Sequence, residues 1–377
     1  MKKSIVIIIL CWLALSVFGQ EKKIVGRVGN LQADKIYLYE VVDQYLERYR
    51  MIDSAKVEKG KFIFQLKNSR AELYFLGDTP WHGGFFFADG NKITLEPVIV
   101  NENRIVWSVQ GSPMGKIYQD FEKRLHRETY MAIRDSLNAL FYKAREADND
   151  EEMARIKEES MPYYEKGNAK EQELVSEYVQ KNKENPFGLY LYYSQIFQRK
   201  DFPTVDLIAS ERKYVDSFGA KARNTSYFSR IAERLTQFEN CAIGHEAPEI
   251  VGKDSLGKVV RLSDFRGNYV IVDFWNSYCH WCREETPALQ KALERFKGKN
   301  FKILGVSSDT KHKDWMDAIH KDGSYWDHLI LEKGNRVMSE YCVKGIPYII
   351  LVGPDGKILA KGLRGKELVS VPEKFIK

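Results

Sequence analysis

The sequence predicts a multidomain chain with an all-β region first, a helical middle region and an α/β fold at the end. Short runs of aromatic and β-branched residues, which favour strands, occur throughout residues 22–110. Residues 111–240 contain long charged segments in which apolar residues recur at helical spacing. Apolar strands and amphipathic segments then alternate over residues 241–377, as they do in mixed sheets covered by helices.

Residues 1–19 have the composition of a secretory signal peptide. Two lysines precede the apolar run Ile5 to Phe18, and Gly19 is a small residue at the expected cleavage site. The run is shorter than the ~20 residues of a membrane-spanning helix, so an uncleaved anchor is the alternative. We therefore expect cleavage before Gln20 or Glu21, a periplasmic location and a mature chain without a stable membrane span.

Turn residues divide the all-β region into short predicted strands. These strands cover residues 24–28, 35–40, 61–66, 72–76 and 92–95. In the helical region, Pro186 and Pro203 separate the helices, because proline cannot continue a helix interior. In the last region, the apolar pattern predicts strands over residues 259–262, 269–275, 301–306, 348–352 and 358–360, and a helix over 313–321.

The composition argues against nucleic-acid binding. The chain of 377 residues has 58 basic and 52 acidic residues, a net charge of +6. The basic residues are spread along the chain and form no concentrated stripe, so we predict no nucleic-acid partner.

The tetrapeptide Cys279-His280-Trp281-Cys282 carries the chemistry. It follows the predicted strand 269–275 and precedes a helix predicted from Arg283 towards Phe296. The N-terminus of a helix carries partial positive charge and unpaired N–H groups, so it lowers the pKa of a thiol placed there. The spacing of the two cysteines therefore predicts redox chemistry.

Other uses of a Cys-x-x-Cys pair fit the sequence less well. A closed zinc site needs four ligands, and the sequence has no second such pair and no paired histidines at ligand spacing. Haem attachment requires a histidine after Cys282, where Arg283 stands. The positions expected for the Pro and the Thr or Ser of a peroxidase hold Val272 and Asn276. We predict no metal and no cofactor, and an inert structural disulfide is the remaining alternative.

Four further features accompany the cysteine pair: Asp273, six residues before the first cysteine; Glu285, three residues after the second; Pro287, five residues after the second; and, downstream, Gly345-Ile346-Pro347-Tyr348. With these features, the chain from Ile243 to Lys377 resembles thioredoxin-like proteins, and most closely those of the periplasmic TlpA/ResA type, in which Pro287 matches a helix-kink proline and the downstream loop is Gly-Ile-Pro-Thr. The resemblance implies a thioredoxin-like fold for residues 241–377. It also extends to residues 22–110, which are similar to the small β-sandwich domain of unknown function that often precedes such domains.

The resemblance also implies roles for these residues. Cys279 would attack a substrate disulfide, and Cys282 would resolve the mixed disulfide. Asp273 would move the proton of Cys282, with Glu285 as a second candidate or as a surface residue that compensates the helix dipole. Ile346 and Pro347, the latter in a cis peptide bond, would bind a substrate strand.

Two residues between the cysteines have further predicted roles. Trp281 is a candidate substrate-binding residue. His280, when protonated, would stabilise a neighbouring thiolate and so tune the redox potential, unless it is only an exposed loop residue. Outside the pair, Cys342 is predicted to be a free buried thiol, and a Cys241–Cys342 disulfide is the alternative.

The sequence thus predicts a thiol-disulfide oxidoreductase that exchanges disulfides with protein substrates and receives electrons from an upstream thiol donor. The resemblance favours reduction, including the reduction of apocytochromes during cytochrome c maturation. A disulfide oxidase or isomerase is one alternative. Another is a partner-binding protein whose redox activity is secondary.

Overall fold

A computed structural model describes residues 21–43, 48–67, 70–100 and 105–377. The expected signal peptide, residues 1–19, lies outside them. The chain divides into two compact units, the first made of Met1–Lys200 with Asp216–Arg230 and the second of Asp201–Val215 with Ile231–Lys377. No helix in the described ranges combines the length and the apolar character needed to span a lipid bilayer.

The first unit begins with strands that form two sheets of four strands each within the described residues. The strands are β1 (Lys22–Arg27), β2 (Lys35–Asp43), β3 (Arg48–Lys56), β4 (Lys61–Leu66), β5 (Glu72–Gly77), β6 (Gly83–Ala88), β7 (Lys92–Val100) and β8 (Ile105–Gln110). One sheet has the order β4-β1-β7-β8 and the other β3-β2-β5-β6. These sheets agree with the predicted all-β region.

Both sheets contribute to one apolar core. Phe62 and Phe64 of β4 are buried while Lys61, Ile63 and Gln65 are exposed, the alternation expected of a strand with one covered face. The same cluster contains side chains from the second sheet, namely Leu38, Tyr74, Leu76 and Phe86.

The sequence missed strands β3, β6 and β8. Strand β3 has the polar sequence RYRMIDSAK and β6 begins with two glycines, both of which argue against a strand on composition alone. Pairing with β2 and β5 stabilises these segments as strands.

The middle region is helical, as predicted. Its helices are α1 (Pro113–Glu128), α2 (Met131–Glu146), α3 (Asp150–Lys181), α4 (Pro186–Leu191), α5 (Val205–Asp216), α6 (Ala220–Arg223) and α7 (Ser226–Asn240). Helix α1 begins where Ser112 accepts a hydrogen bond from the Gly115 N–H and Pro113 occupies the first turn. Asn185 and Pro186 start α4 in the same way.

The second unit contains a mixed sheet of seven strands within the described ranges. They are β9 (Val251–Lys253), β10 (Val259–Arg261), β11 (Tyr269–Trp275), β12 (Phe301–Ser307), β13 (Asp327–Ile330), β14 (Tyr348–Val352) and β15 (Ile358–Lys361). The order is β10-β9-β13-β12-β11-β14-β15. Strand β11 is parallel to β12 and antiparallel to β14, and it is buried almost throughout, as its continuous apolar run predicts.

The helices of this unit are α8 (His280–Arg283), α9 (Thr286–Arg295), α10 (His312–Asp322), α11 (Val337–Glu340) and α12 (Glu367–Ser370). The prediction of one helix running from Arg283 through Pro287 is wrong, because α8 ends at Arg283 and α9 begins at Thr286. Pro287 lacks an N–H and therefore suits the first turn of a new helix better than a helix interior.

Candidate active site

The cysteine pair lies at the C-terminal end of β11. Cys279 is the N-cap residue of α8, and its sulfur accepts a hydrogen bond from the Cys282 N–H at 3.1 Å. The two sulfurs form a disulfide, with Cα atoms 5.2 Å apart. Cys282 is 3% exposed, whereas Cys279 is only partly buried. The sulfur of Cys279 is therefore the more accessible of the two.

The loop before the disulfide is held by a residue that sequence analysis missed. Asp309 follows β12, and its carboxylate accepts hydrogen bonds from the Ser277 N–H at 2.9 Å and from the Ser277 hydroxyl at 2.7 Å. Asp309 is itself buried and bound by the Ser307 hydroxyl. Because β11 and β12 are parallel, their C-terminal loops meet at the same edge of the sheet.

A second anchor joins α8 to α10. The guanidinium of Arg283 donates a hydrogen bond to the Asp322 carboxylate, with a distance of 2.6 Å between Nε and Oδ2. Tyr278, on the other side of the pair, donates to Asp314 of α10. The segment that carries both cysteines is therefore held by α10 at each end.

Three of the predicted residues surround the pair. Ile346 packs in the same apolar cluster as Cys279, Cys282, Trp275 and Trp315. The Ile346–Pro347 peptide bond is cis, and Pro347 is buried. Trp281 is 72% exposed and stacks edge-on against His280, which is also exposed. The exposed Trp281 side chain and the Ile346–Pro347 segment are therefore the candidate substrate contacts near the disulfide.

Asp273 is buried in the middle of β11. It is 4% exposed, and its Oδ1 atom has no hydrogen-bond partner. The pKa of Asp273 is raised to about 7, mainly by burial; the Arg364 guanidinium opposes the rise, and the Glu285 carboxylate adds to it. Side chains alternate along a strand, so Asp273 shares a face with Trp275, which packs against Cys282.

Glu285 interacts both with Asp273 and with Arg364, a cationic residue that sequence analysis missed. Its carboxylate accepts a hydrogen bond from the Gly365 N–H at 2.8 Å and lies 3.9 Å from Nε of Arg364. Glu285 is thus a bound, mostly buried group. Arg364 follows β15 and lies between the turn glycines Gly362 and Gly365, so only the sheet brings it near the acids.

His328 is a second buried group that the sequence did not single out. Burial lowers the pKa of His328 to about 4, so the ring is neutral at physiological pH. Its Nε2 atom lies 2.8 Å from the Ser324 carbonyl, and its ring packs against Trp275. The structure therefore places a neutral imidazole beneath the tryptophan that contacts the disulfide. Across the described ranges, no three side chains of the His, Cys, Asp or Glu type are grouped so as to hold a metal ion.

Comparison with known proteins agrees with this geometry. The AhpC/TSA family model matches residues 243–361. Thiol-disulfide oxidoreductase ResA of Bacillus thuringiensis subsp. konkukian is 28% identical over 143 residues, which are 38% of this chain and 82% of the relative. The ResA protein of Bacillus subtilis is 28% identical over 121 residues, 32% of this chain and 67% of the relative. The thioredoxin domain of a thiol-disulfide oxidoreductase from Bacteroides vulgatus is 50% identical, covers 36% of this chain and 99% of its own, and has a TM-score of 0.36.

The C-terminal part of the chain, matched over residues 243–361, is a thioredoxin-like thiol-disulfide oxidoreductase. The predicted family and the predicted exchange activity are thereby confirmed. The AhpC/TSA match, residues 243–361, contains the Cys279–Cys282 disulfide. The all-β and helical regions lie before these residues, so this match assigns them no role.

The buried acid leads to a prediction about stability. Asp273→Asn should stabilise the folded oxidoreductase at pH 8, by roughly 2–4 kcal/mol, because the wild type must keep an ionised carboxylate in an apolar site. Below about pH 4 the carboxyl is neutral in both the folded and the unfolded state, so the difference should vanish. Urea unfolding of the second unit, measured at both pH values, checks this.

The exposed Asp327→Asn change on β13 is the matched control and should leave stability nearly constant with pH. An Asp273→Asn variant that is no more stable than the wild type at pH 8 would show that the apolar site does not disfavour the ionised carboxylate of Asp273.

Proposed function

We propose that this oxidoreductase reduces disulfide bonds of exported proteins, using Cys279 as the attacking thiol and Cys282 as the resolving thiol. The observation that carries the proposal is the unequal burial of the two cysteines. An incoming disulfide reaches the partly buried Cys279 more easily than Cys282, which packs among Trp275 and Trp315. The observed disulfide corresponds to the oxidised state of the cycle.

The exchange begins with the reduced pair. The Cys279 thiolate attacks one sulfur of the substrate disulfide, a mixed disulfide forms, and the first substrate sulfur leaves as a thiolate. Asp273 takes the proton of Cys282, whose thiolate then attacks the Cys279 sulfur. The second substrate sulfur leaves, the Cys279–Cys282 disulfide forms, and two electrons have passed to the substrate. An upstream thiol donor must then reduce the pair.

The charges around the pair favour reduction of the substrate over its oxidation. The carboxylates of Asp273 and Glu285 carry negative charge, which disfavours a thiolate near them. A less stable reduced pair gives up its electrons more readily, which makes the protein a stronger reductant. Arg364 offsets part of this charge. A disulfide oxidase or isomerase remains the alternative outcome of the experiments.

The location and the upstream regions complete the proposal. The signal-like residues 1–19 support export to the periplasm, where protein disulfides persist and occur as substrates. Apocytochromes are one substrate class that the family resemblance implies.

We further propose that the two sheets of residues 22–110 form a β-sandwich domain, since both contribute side chains to one core.

The roles of the two cysteines can be separated by trapping. Cys282→Ala should accumulate mixed disulfides between Cys279 and substrate proteins, because nothing resolves them. Cys279→Ala should accumulate few, since the remaining sulfur is buried. Non-reducing gels of both variants after incubation with a disulfide-bonded substrate such as insulin measure this. Trapping by the Cys279→Ala variant alone would reverse the assignment.

The proton-transfer role of Asp273 predicts a change in the pH–rate profile. The wild type should reduce insulin faster as the pH rises through about 7, where Asp273 loses its proton. Asp273→Asn should lower the rate at pH 7 by about tenfold or more and remove this step. The exposed Glu284→Gln change is the matched control. A profile that Asp273→Asn leaves unchanged would remove Asp273 from the mechanism.

His280 should tune the reduction potential, which we expect at about −150 to −250 mV. His280→Gly removes a charge that stabilises the Cys279 thiolate, so the potential should fall by about a few tens of millivolts at most, because solvent screens the exposed ring. Equilibration of both proteins with glutathione buffers near pH 6 measures the shift. An upward shift, or none, would show that His280 does not tune the pair.

A further inference from the structure

The second unit contains two more cysteines that the proposed exchange does not use. Cys241 directly follows α7, and Cys342 follows α11, so they come from distant parts of the sequence. Both are free, and they are 0% and 3% exposed. The Cys342 thiol donates a hydrogen bond to the Cys241 sulfur. The alternative of a Cys241–Cys342 disulfide is therefore not the state observed, but the two thiols lie close enough to interact electrostatically.

A partly buried cation lies beside this pair. Nζ of Lys361, at the end of β15, lies 3.4 Å from the Cys241 sulfur and 3.0 Å from the Cys241 carbonyl oxygen. The Arg234 guanidinium donates to the carbonyl oxygen of Cys342 at 3.3 Å. The Lys344 ammonium also interacts with Cys342, so three cations approach the pair, and the Asp201 carboxylate opposes them at Cys241.

These charges distinguish the two thiols. The hydrogen bond from Cys342 and the Lys361 ammonium together lower the pKa of the Cys241 thiol to about 6, although burial acts in the opposite direction. The same hydrogen bond, together with burial, raises the pKa of Cys342. Of the two thiols, Cys241 is therefore the one whose thiolate is favoured, and Cys342 is the one that holds its proton more strongly. A buried cysteine with a purely packing role needs no such cation, because it behaves as a small apolar side chain.

We propose that Cys241 and Cys342 form a second redox centre, which a small hydroperoxide oxidises to an intramolecular disulfide. The burial of both sulfurs selects the oxidant class. A protein disulfide cannot reach sulfurs that are 0% and 3% exposed, whereas a small neutral peroxide needs only a local opening. The pair is separate in sequence from the Cys279–Cys282 disulfide and lies on different elements of the fold.

The reaction balances with one peroxide. The Cys241 thiolate attacks one peroxide oxygen, the O–O bond breaks, and Cys241 becomes a sulfenic acid while the leaving hydroxide or alkoxide takes up a proton. The Cys342 sulfur then attacks the Cys241 sulfur. The S–S bond forms, the S–O bond breaks, and water leaves with the proton of Cys342. Two thiols have lost two electrons, and hydrogen peroxide has become two molecules of water. A dithiol restores the pair by exchange.

The test uses the full chain with Cys11→Ser, Cys279→Ser and Cys282→Ser, which leaves Cys241 and Cys342 as its two cysteines. After treatment with one equivalent of hydrogen peroxide, the protein is unfolded, alkylated and analysed by mass spectrometry. We expect the loss of both alkylatable thiols, a mass lower by two hydrogen atoms, peptides that link Cys241 to Cys342, and reversal by dithiothreitol. Two thiols that stay alkylatable, disulfides between chains only, or Cys241 carrying added oxygen beside a free Cys342 would overturn the proposal.

The role of Lys361 is tested in the same background. Lys361→Met should slow disulfide formation at pH 7 by about threefold or more, because the thiolate fraction of Cys241 falls. Lys361→Arg should restore most of the rate, and the exposed Lys366→Met is the matched control. Circular dichroism confirms that each variant is folded. Equal rates in folded Lys361→Met and Lys366→Met proteins would overturn the assignment of Lys361, and the parent chain tests the pair independently of these substitutions.

Discussion

Strand β11 is hydrogen-bonded on both of its edges, and this pairing places every part of the candidate site. Its parallel register with β12 puts Trp275 opposite Ser307, so the loop that carries Cys279 meets Asp309. Its antiparallel register with β14 puts Phe274 opposite Tyr348, so the residues just before β14 reach the cysteine pair. The cluster of Ile346 with both cysteines follows from this register. A slip of one residue would turn these side chains to the opposite face of the sheet.

The same central strand explains the behaviour of its acid. Both edges of β11 are occupied by backbone partners, and its side chains lie among apolar neighbours from β12 and β14. The Asp273 carboxyl therefore has one oxygen without a hydrogen bond, and its neutral form is favoured until the pH nears 7. A carboxyl with this pKa suits proton transfer at neutral pH, whereas an ordinary exposed aspartate is ionised throughout that range. The burial of the Asp273 carboxyl thus explains both the expected loss of stability when it ionises and its proposed role in thiol exchange.

The two cysteine pairs of the second unit differ in their charged neighbours and in solvent access. The acids Asp273 and Glu285 flank the Cys279–Cys282 pair in sequence, together with the cation Arg283, and Cys279 is only partly buried. Cationic side chains approach Cys241 and Cys342, and both of those sulfurs are buried. Negative charge disfavours a thiolate and positive charge favours it, while access decides which oxidant can react. The same fold thereby places cysteine side chains in two environments that differ in charge and in solvent access.

The sequence by itself determined the features that depend on near neighbours. The strand Tyr269–Trp275, the Cys-x-x-Cys spacing and the turn towards a helix lie within a short segment, so propensity and periodicity predicted them. The family resemblance added Asp273, Glu285 and Pro347 by position. Local patterns gave wrong predictions at two places. The polar composition of β3 argues against a strand, although strand pairing makes it one. Pro287 starts a helix instead of bending one.

Only the tertiary structure decided which distant residues meet. Asp309, Arg364 and His328 come from separate loops and strands, and nothing in their local sequence marks them as neighbours of the cysteine pair. The contact between Cys241 and Cys342 beside Lys361 likewise needed the sheet and α7 to be in place. The physical reason is that such contacts depend on the register and order of strand pairing, which the packing of the whole core selects and no short segment encodes.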